Sequence, residues 1–425
     1  MQLVEKLNAL CASRKLEKKI VDKIADNGVL ITFCVFTLMA ILIRFSVKDF
    51  ESGDYIGSLA LWYDHFKTHR GFAALRSPIG DYNVPYQFFI ALMTYIKIKP
   101  LYLFKILSCI FDFLLAIYSG KFVYYISSER TGASRSFKDA ISNMTFVLPY
   151  GVVLLLPTVV FNSALWGQCD AIYTFFLVLS LFLIYRKSYF FSFVFLGCAF
   201  AFKLQTVFIL PFFFYLYFRE KNFSIFFLLF LPLVDILLSI PSLCMGLRFS
   251  KLVDVYINQS DAYHYVYMNY PSFWAMIGDN YDYLKPVAII ITLMILFVGL
   301  LYIVRKKVDL KSADNFLSVA VWSVWTCVLF LPSMHERYAY LAEILIVILF
   351  FVKLWSENRK NLGMICVVAC VLQLMTCIQY GRYLFQNSYM NFGMTLILHT
   401  SVYLFFSYKL FVNGFPKNDE TIDEF

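Results

Sequence analysis

Residues 286–304 read PVAIIITLMILFVGLLYIV and are followed at once by Arg305, Lys306 and Lys307. An uncharged run of this length suits a helix that crosses the hydrocarbon layer, which takes about 20 apolar residues. The basic stop behind it is the usual mark of a cytoplasmic turn. The same pattern recurs along the chain. Apolar runs occupy 28–47, 101–126, 140–160, 170–185, 189–203, 205–218, 223–245, 286–304, 312–331, 338–352, 362–380 and 392–410. They predict an all-α polytopic membrane protein, a bundle of about twelve transmembrane helices. Whole-chain figures agree, because 60% of the 425 residues are hydrophobic and only 15% are charged. Soluble domains run at about 45–50% and 25%. A soluble enzyme, an intrinsically disordered chain and a disulfide scaffold are thereby excluded, with 47 Phe and 30 Tyr against 10 Cys.

A further run, 85–98, is short and meets Lys97, Lys99 and Pro100, so it reads as a re-entrant or interfacial helix. With it so placed, the basic residues sort to one side. Lys6, Arg14, Lys15, Lys18, Lys19 and Lys23 precede the first span; Arg130, Arg135 and Lys138 follow the second. Arg186 with Lys187, Arg219 with Lys221, Lys311, and Lys353 with Arg359 and Lys360 fill later turns on that side. The net charge of +9 is therefore mostly a topology signal that puts both termini in the cytoplasm. Residues 1–27 space Leu7, Leu10, Leu16, Ile20 and Ile24 among charges, as an amphipathic cytoplasmic helix does, and carry no cleavage pattern. Residues 28–410 form a single membrane domain, and 411–425 a cytoplasmic tail. Two long connections, 48–100 and 246–285, fall on the outer face and are rich in aromatic residues and Asn. Connections of such length usually have a function.

Five polar clusters fall on that same face: Asp49, Glu51 and Asp54; Gly80-Asp81-Tyr82-Asn83; Asn162, Trp166, Gln168 and Asp170; Lys203 and Gln205; and Met334-His335-Glu336-Arg337-Tyr338. Each alone has an ordinary explanation. Asp54 reads as a solvated loop residue, Trp166 as an interface anchor, Lys203 as a snorkelling side chain and His335–Arg337 as a polar turn. The turns at 162–170 and 203–205 are too short to carry their polar groups clear of the membrane, however. Ionisable groups at that depth are costly and tend to be functional.

A carboxylate on an ordered outer loop can take a proton from a hydroxyl. Lys203, Arg337 and His335 supply cationic donors suited to a phosphate, at a depth that suits a phosphate carried on a lipid. Together they point to sugar transfer from a lipid phosphate. The sequence has no Asp-x-Asp pair, Gly-rich phosphate loop, Gly-x-Ser-x-Gly, His-Glu-x-x-His or zinc-spaced Cys pair. The ligand inventory neither requires nor rules out a divalent metal. Nucleic-acid binding has no support, because the basic residues form short turns and no stripe. Cys366 and Cys370 read as inert packing, and Asp112 and Asp235 as helix–helix polar contacts. Lys105, on the same helix face as Asp112, is placed to reach the lipid-phosphate cavity.

The segments Asn162-Ser-Ala-Leu-Trp166-Gly-Gln168-Cys-Asp170, Phe202-Lys203-Leu-Gln205 and Met334-His335-Glu336-Arg337-Tyr338 resemble signatures of bacterial integral-membrane mannosyltransferase-like proteins. These are related to the second mannosyltransferase of GPI-anchor synthesis. Ser52-Gly53-Asp54-Tyr55 and Gly80–Asn83 extend the resemblance across 52–338. It implies the GT-C glycosyltransferase fold, an extracytoplasmic active site, a polyprenyl-phosphate sugar donor and inversion at the anomeric carbon. The acidic residue after the first span, the usual base in such enzymes, maps to Asp54, with Glu51 and Asp81 as rivals. Lys203, Arg337 and His335 would hold the leaving phosphate. Trp166, Gln168, Asp170, Gln205 and Glu336 would position donor or acceptor, and Asp81, Tyr82 and Asn83 would line the sugar pocket. The expected partners are a polyprenyl-phosphate-linked sugar, a cell-wall or surface glycan acceptor and the lipid bilayer. The rival classes are a flippase for lipid-linked sugars, which should concentrate its charges at midplane, and a non-catalytic partner of a polysaccharide assembly machine.

Overall fold

The computed structural model describes residues 2–12, 15–132, 136–260, 262–387 and 390–413. The expected tail from 414 onward, and Arg14 and Arg135 of the basic turns, lie outside the described residues. Among the described residues the fold is all-helical, and the only bridge between extended segments is the isolated one joining Tyr267 to Met334. Seven helices are long and apolar enough to cross a membrane: Gly28–Ser46, Pro100–Arg130, Ile225–Cys244, Tyr281–Arg305, Ala313–Phe330, Leu362–Phe385 and Phe392–Val412. The chain is thus a multi-pass membrane protein.

The other expected spans are helical but short or broken. Asp170–Tyr185, Tyr189–Phe202 and Tyr340–Leu354 have 16, 14 and 15 residues. The segment expected as one span over 140–160 is instead two pieces, Met144–Leu155 and Pro157–Trp166, bent by 51°. Leu156 takes an extended conformation (ψ 139°) before Pro157, whose ring disfavours a helical neighbour and whose nitrogen has no hydrogen to donate. Taken as one span, the broken segment brings the number among the described residues to eight. The run at 205–218 divides as well, into a tight turn Leu204–Ile209 and the helix Leu210–Glu220. The run at 85–98 is helical only over Val84–Met93, about 15 Å at 1.5 Å per residue, far less than the hydrocarbon thickness.

Burial divides the bundle into a centre and a periphery. Ala313–Phe330 and Tyr340–Leu354 are buried on nearly every face, and Asp170–Tyr185 packs beside them. At the periphery, Leu38, Leu42 and Phe45 of the first span and Leu293, Phe297 and Val298 of the 281–305 helix are exposed. Each such side chain left in water forgoes roughly 1.5–3 kcal/mol of burial, so these faces are built for hydrocarbon. Two interior carboxylates, Asp112 and Glu343, are met by polar partners. Arg44 donates to Asp112 Oδ2 at 2.8 and 3.1 Å, and Ser163 donates to Asp112 Oδ1 at 2.5 Å. Glu343 accepts from Thr158 and, at 2.6 Å, from Thr376.

The two ends of the bundle differ in chemistry. At one end Arg130 and Lys353 both pair with Asp314, at the start of the 313–330 helix. At the other end the long connections are ordered. Ser333 N–H donates to Val266 O at 2.9 Å, and the Ser333 hydroxyl donates to Tyr265 O at 2.7 Å. The second outer connection is thus pinned onto the turn that carries His335, Glu336 and Arg337.

Candidate functional site

Two wide helical turns shape the site. Tyr55–Leu59 and Phe161–Trp166 both run as π-helix, a form that recurs at functional sites. Asp54 opens the first and Trp166 closes the second. Ser52 joins them: its hydroxyl donates to Trp166 O at 2.8 Å and accepts from Tyr55 N–H at 3.1 Å. After Trp166 the chain must reverse before the 170–185 helix begins, and Gly167 makes that turn at φ 84°, a region open to glycine.

This geometry fixes Asp54 from three directions. The Trp166 indole N–H and the Gln168 amide donate to Asp54 Oδ2 at 3.0 and 2.6 Å. The Tyr383 hydroxyl donates to Oδ1 at 2.5 Å. Gln168 is held in turn, its Oε1 accepting from the Tyr82 hydroxyl at 2.6 Å. The rival acids lie elsewhere. Glu51 pairs with Lys99 at 2.7 Å on the surface, and Asp49 pairs with Lys48 at 2.8 Å. Asp81 is exposed at the rim.

Beside Asp54 lies a buried charge cluster. Asp170 is fully buried; it accepts from Asn162 Nδ2 at 2.8 Å, pairs with Lys203, and lies 3.8 Å from Arg337 Nε. Arg337 also donates to Glu336 Oε1 at 3.0 Å, and its guanidinium lies 5.2 Å from the centre of the Trp166 ring. Trp166 therefore separates the two halves, with Asp54 at its N–H edge and Arg337 over its face. Burial opposes the Arg337 charge, but Glu336 and Asp170 outweigh it and raise its pKa well above the ordinary value. Burial raises Glu336.

The expectation of three cations needs correction at His335. Burial, reinforced by Arg337 and Lys203, lowers its imidazole from 6.5 to about 2, so it is neutral. It offers a hydrogen bond and no charge. Its ring packs edge-on against Tyr263 at 4.7 Å, and its Nε2 has no protein partner. Gln205 Oε1, Glu336 Oε2 and Arg337 Nε are likewise buried without a hydrogen-bond partner. Buried polar atoms are almost always satisfied, so unsatisfied groups gathered in one place mark where a polar ligand fits.

A narrow cavity of about 60 Å³ lies beside them, lined by Tyr82, Lys203, Gln205, Tyr263, Arg337 and Tyr338 among others, with Asp54, His335 and Glu336 outside its lining. Asn83 reaches its wall but is fully engaged, donating to Tyr256 and Phe200 O and accepting from Gln259. It acts as a latch. Lys105, expected to face the lipid phosphate, instead caps the chain after the first span, donating to the carbonyls of Val47, Lys48 and Phe50 at 3.0, 3.0 and 2.8 Å. Among the described residues no group of three or more His, Cys, Asp or Glu is placed to hold a metal ion.

Sequence reasoning missed Tyr383 and Gln259. Tyr383 lies in Gln379-Tyr-Gly-Arg-Tyr383, whose polar character at the end of an apolar helix was the available signal. No protein-family model matches the chain, and no curated protein matches it.

Proposed function

We propose that this protein is an inverting membrane glycosyltransferase of the GT-C type, moving a sugar from a polyprenyl-phosphate donor to a hydroxyl of an extracytoplasmic glycan. The observation that carries the reading is Asp54, a half-buried carboxylate oriented by Trp166, Gln168 and Tyr383, with Arg337 stacked on the far side of the same indole. Asp54 takes the proton of the acceptor hydroxyl as that oxygen forms its bond to the anomeric carbon. The bond from that carbon to the phosphate oxygen breaks, and the lipid phosphate leaves with the electron pair. Arg337, through the Nε that has no hydrogen-bond partner, and Lys203 meet the charge that develops on it. His335 and Gln205 add neutral hydrogen bonds.

Counting the short and broken helices gives twelve crossings, with the Asp54 end outside. In support, Arg130 and Lys353 gather at the opposite end of the bundle, where the positive-inside tendency would place the cytoplasm. The test is transfer by the purified protein in nanodiscs, supplied with a panel of polyprenyl-phosphate hexoses and a glycan acceptor. Wild type is expected to release the lipid phosphate, and Asp54→Asn to lose at least a hundredfold in turnover at equal expression. Normal turnover by Asp54→Asn, or movement of donor between leaflets with its sugar bond intact, would overturn the reading.

A further inference from the structure

A larger cavity of about 720 Å³ opens on the water side of the narrow one, formed between the two long outer connections. The two cavities share Asp81, Gln259 and Ala262 in their linings, so they adjoin. Three basic residues line the outer one, Arg76 and Arg248 from opposite connections and Lys251. Lys251 is neutralised by Asp254 at 3.1 Å. Arg76 and Arg248 differ: among the described residues neither guanidinium has a hydrogen bond or an ion pair.

The contrast with the inner site identifies the ligand chemistry. There Lys203 and Arg337 each already face a carboxylate, Asp170 and Glu336. The uncommitted cations lie in the outer cavity, where planar guanidinium groups can each grip two oxygens of a carboxylate or phosphate. Asp81, the other acid of this lining, stands on the boundary with the inner cavity, where a hydroxyl meets it better than an anion does.

We infer that the outer cavity binds an anionic carbohydrate, whose carboxylate or phosphate group is held by Arg76 and Arg248 while a neighbouring hydroxyl meets Asp81 at the boundary with the inner cavity. That the anion is carried on a carbohydrate, and that this carbohydrate is the acceptor, rests on the transfer reading above; the binding of an anionic group by the two arginines does not. Both arginines are exposed, so replacing them leaves the buried bundle intact.

The experiment is equilibrium binding of tetragalacturonate to the full chain in nanodiscs, without donor, against maltotetraose as the neutral control. Wild type is expected to bind the anionic tetramer at least tenfold more tightly, with affinity falling as salt rises from 50 to 300 mM. Arg76→Gln/Arg248→Gln should lose tenfold or more, and Arg76→Lys/Arg248→Lys should retain part of that. The assay contains no donor and reads binding alone, so the binding site and the transfer reading fail separately. Equal binding of the neutral tetramer, or unchanged binding by the double Gln variant, would overturn the inference. Displacement by farnesyl phosphate that depends on both arginines would overturn it too, assigning the cavity to a lipid headgroup.

Discussion

The hydroxyl of Tyr383 donates to Asp54 Oδ1 at 2.5 Å although the two residues are 329 positions apart. The bond ties the first outer connection to the end of the Leu362–Phe385 helix, and Trp166, 4.9 Å from the Tyr383 ring, packs between them. With Trp166 and Gln168 both on Oδ2, Tyr383 alone orients the other oxygen. Tyr383→Phe should therefore lower kcat about tenfold, the scale of one charge-assisted hydrogen bond, with KM unchanged within twofold. Steady-state kinetics on the purified variant check this, and a change confined to KM would assign Tyr383 to substrate binding.

Lys203 and Asp170 form a pair with side chains 10% and 0% exposed, so removing Lys203 leaves the buried carboxylate with only Asn162 and the more distant Arg337 to solvate it. Lys203→Met should cost about 3–5 kcal/mol of stability, and adding Asp170→Asn should recover a large part of it. Thermal unfolding in detergent of the two singles and the double measures the coupling. Additive losses would show that the pair does not act as a unit.

Much of the fold was legible because membrane helices announce themselves locally. The 286–304 run and its basic stop needed no knowledge of any other part of the chain. Trp166, Gln168, Asp170 and Lys203 were also legible as a group, since polar residues in very short turns at one face have few other places to go, and Asp54 and Arg337 joined them by lying on the same face. Pairing was not. Nothing at Lys203 says that Asp170, 33 positions earlier, will share its charge, and nothing at His335 says that burial will keep it neutral. Nothing in the sequence sets Tyr383 apart from the other 29 tyrosines, or Arg76 and Arg248 from other loop charges. Their meaning lies in a cavity made by two distant connections. Pro157 was visible, but its power to break the span depended on the helix having somewhere to turn.

Gly167 sits at φ 84°, and a Cβ built there would meet only Lys105 Cγ, at 3.9 Å. Space is therefore adequate and the backbone conformation is the obstacle. Gly167→Ala should cost roughly 1–2 kcal/mol, the penalty of a left-handed residue with a Cβ. Because Gly167 lies between Trp166 and Gln168, transfer should fall more than stability does. Melting temperature and turnover of the same preparation separate the two effects.

His335 predicts a pH dependence of stability. Its folded-state value of about 2 lies far below the 6.5 of a free imidazole, first through burial and then through Arg337 and Lys203. Below pH 6.5 the unfolded chain takes up a proton that the folded chain refuses. The contribution is thus complete above pH 6.5 and is lost progressively as pH falls towards 2. Between pH 7 and pH 5 the loss is about 2 kcal/mol. Unfolding measured across that interval should be flatter for His335→Gln than for wild type, and parallel curves would refute the assignment.

The wide turns at Tyr55–Leu59 and Phe161–Trp166 make chain length itself a determinant of the site. A π-turn spans more residues than an α-turn, so deleting one residue within it lets the helix close to ordinary pitch. The helix beyond keeps its phase, because the α-turn needs one residue fewer, and only the side chains at the wide turn lose their directions. Asp54 would swing away from the indole, while every apolar helix kept its composition and its place in the bilayer. A protein altered in this way would insert, fold and purify normally yet hold its carboxylate towards the wrong wall. At these two turns the number of residues is under constraint as well as their identity.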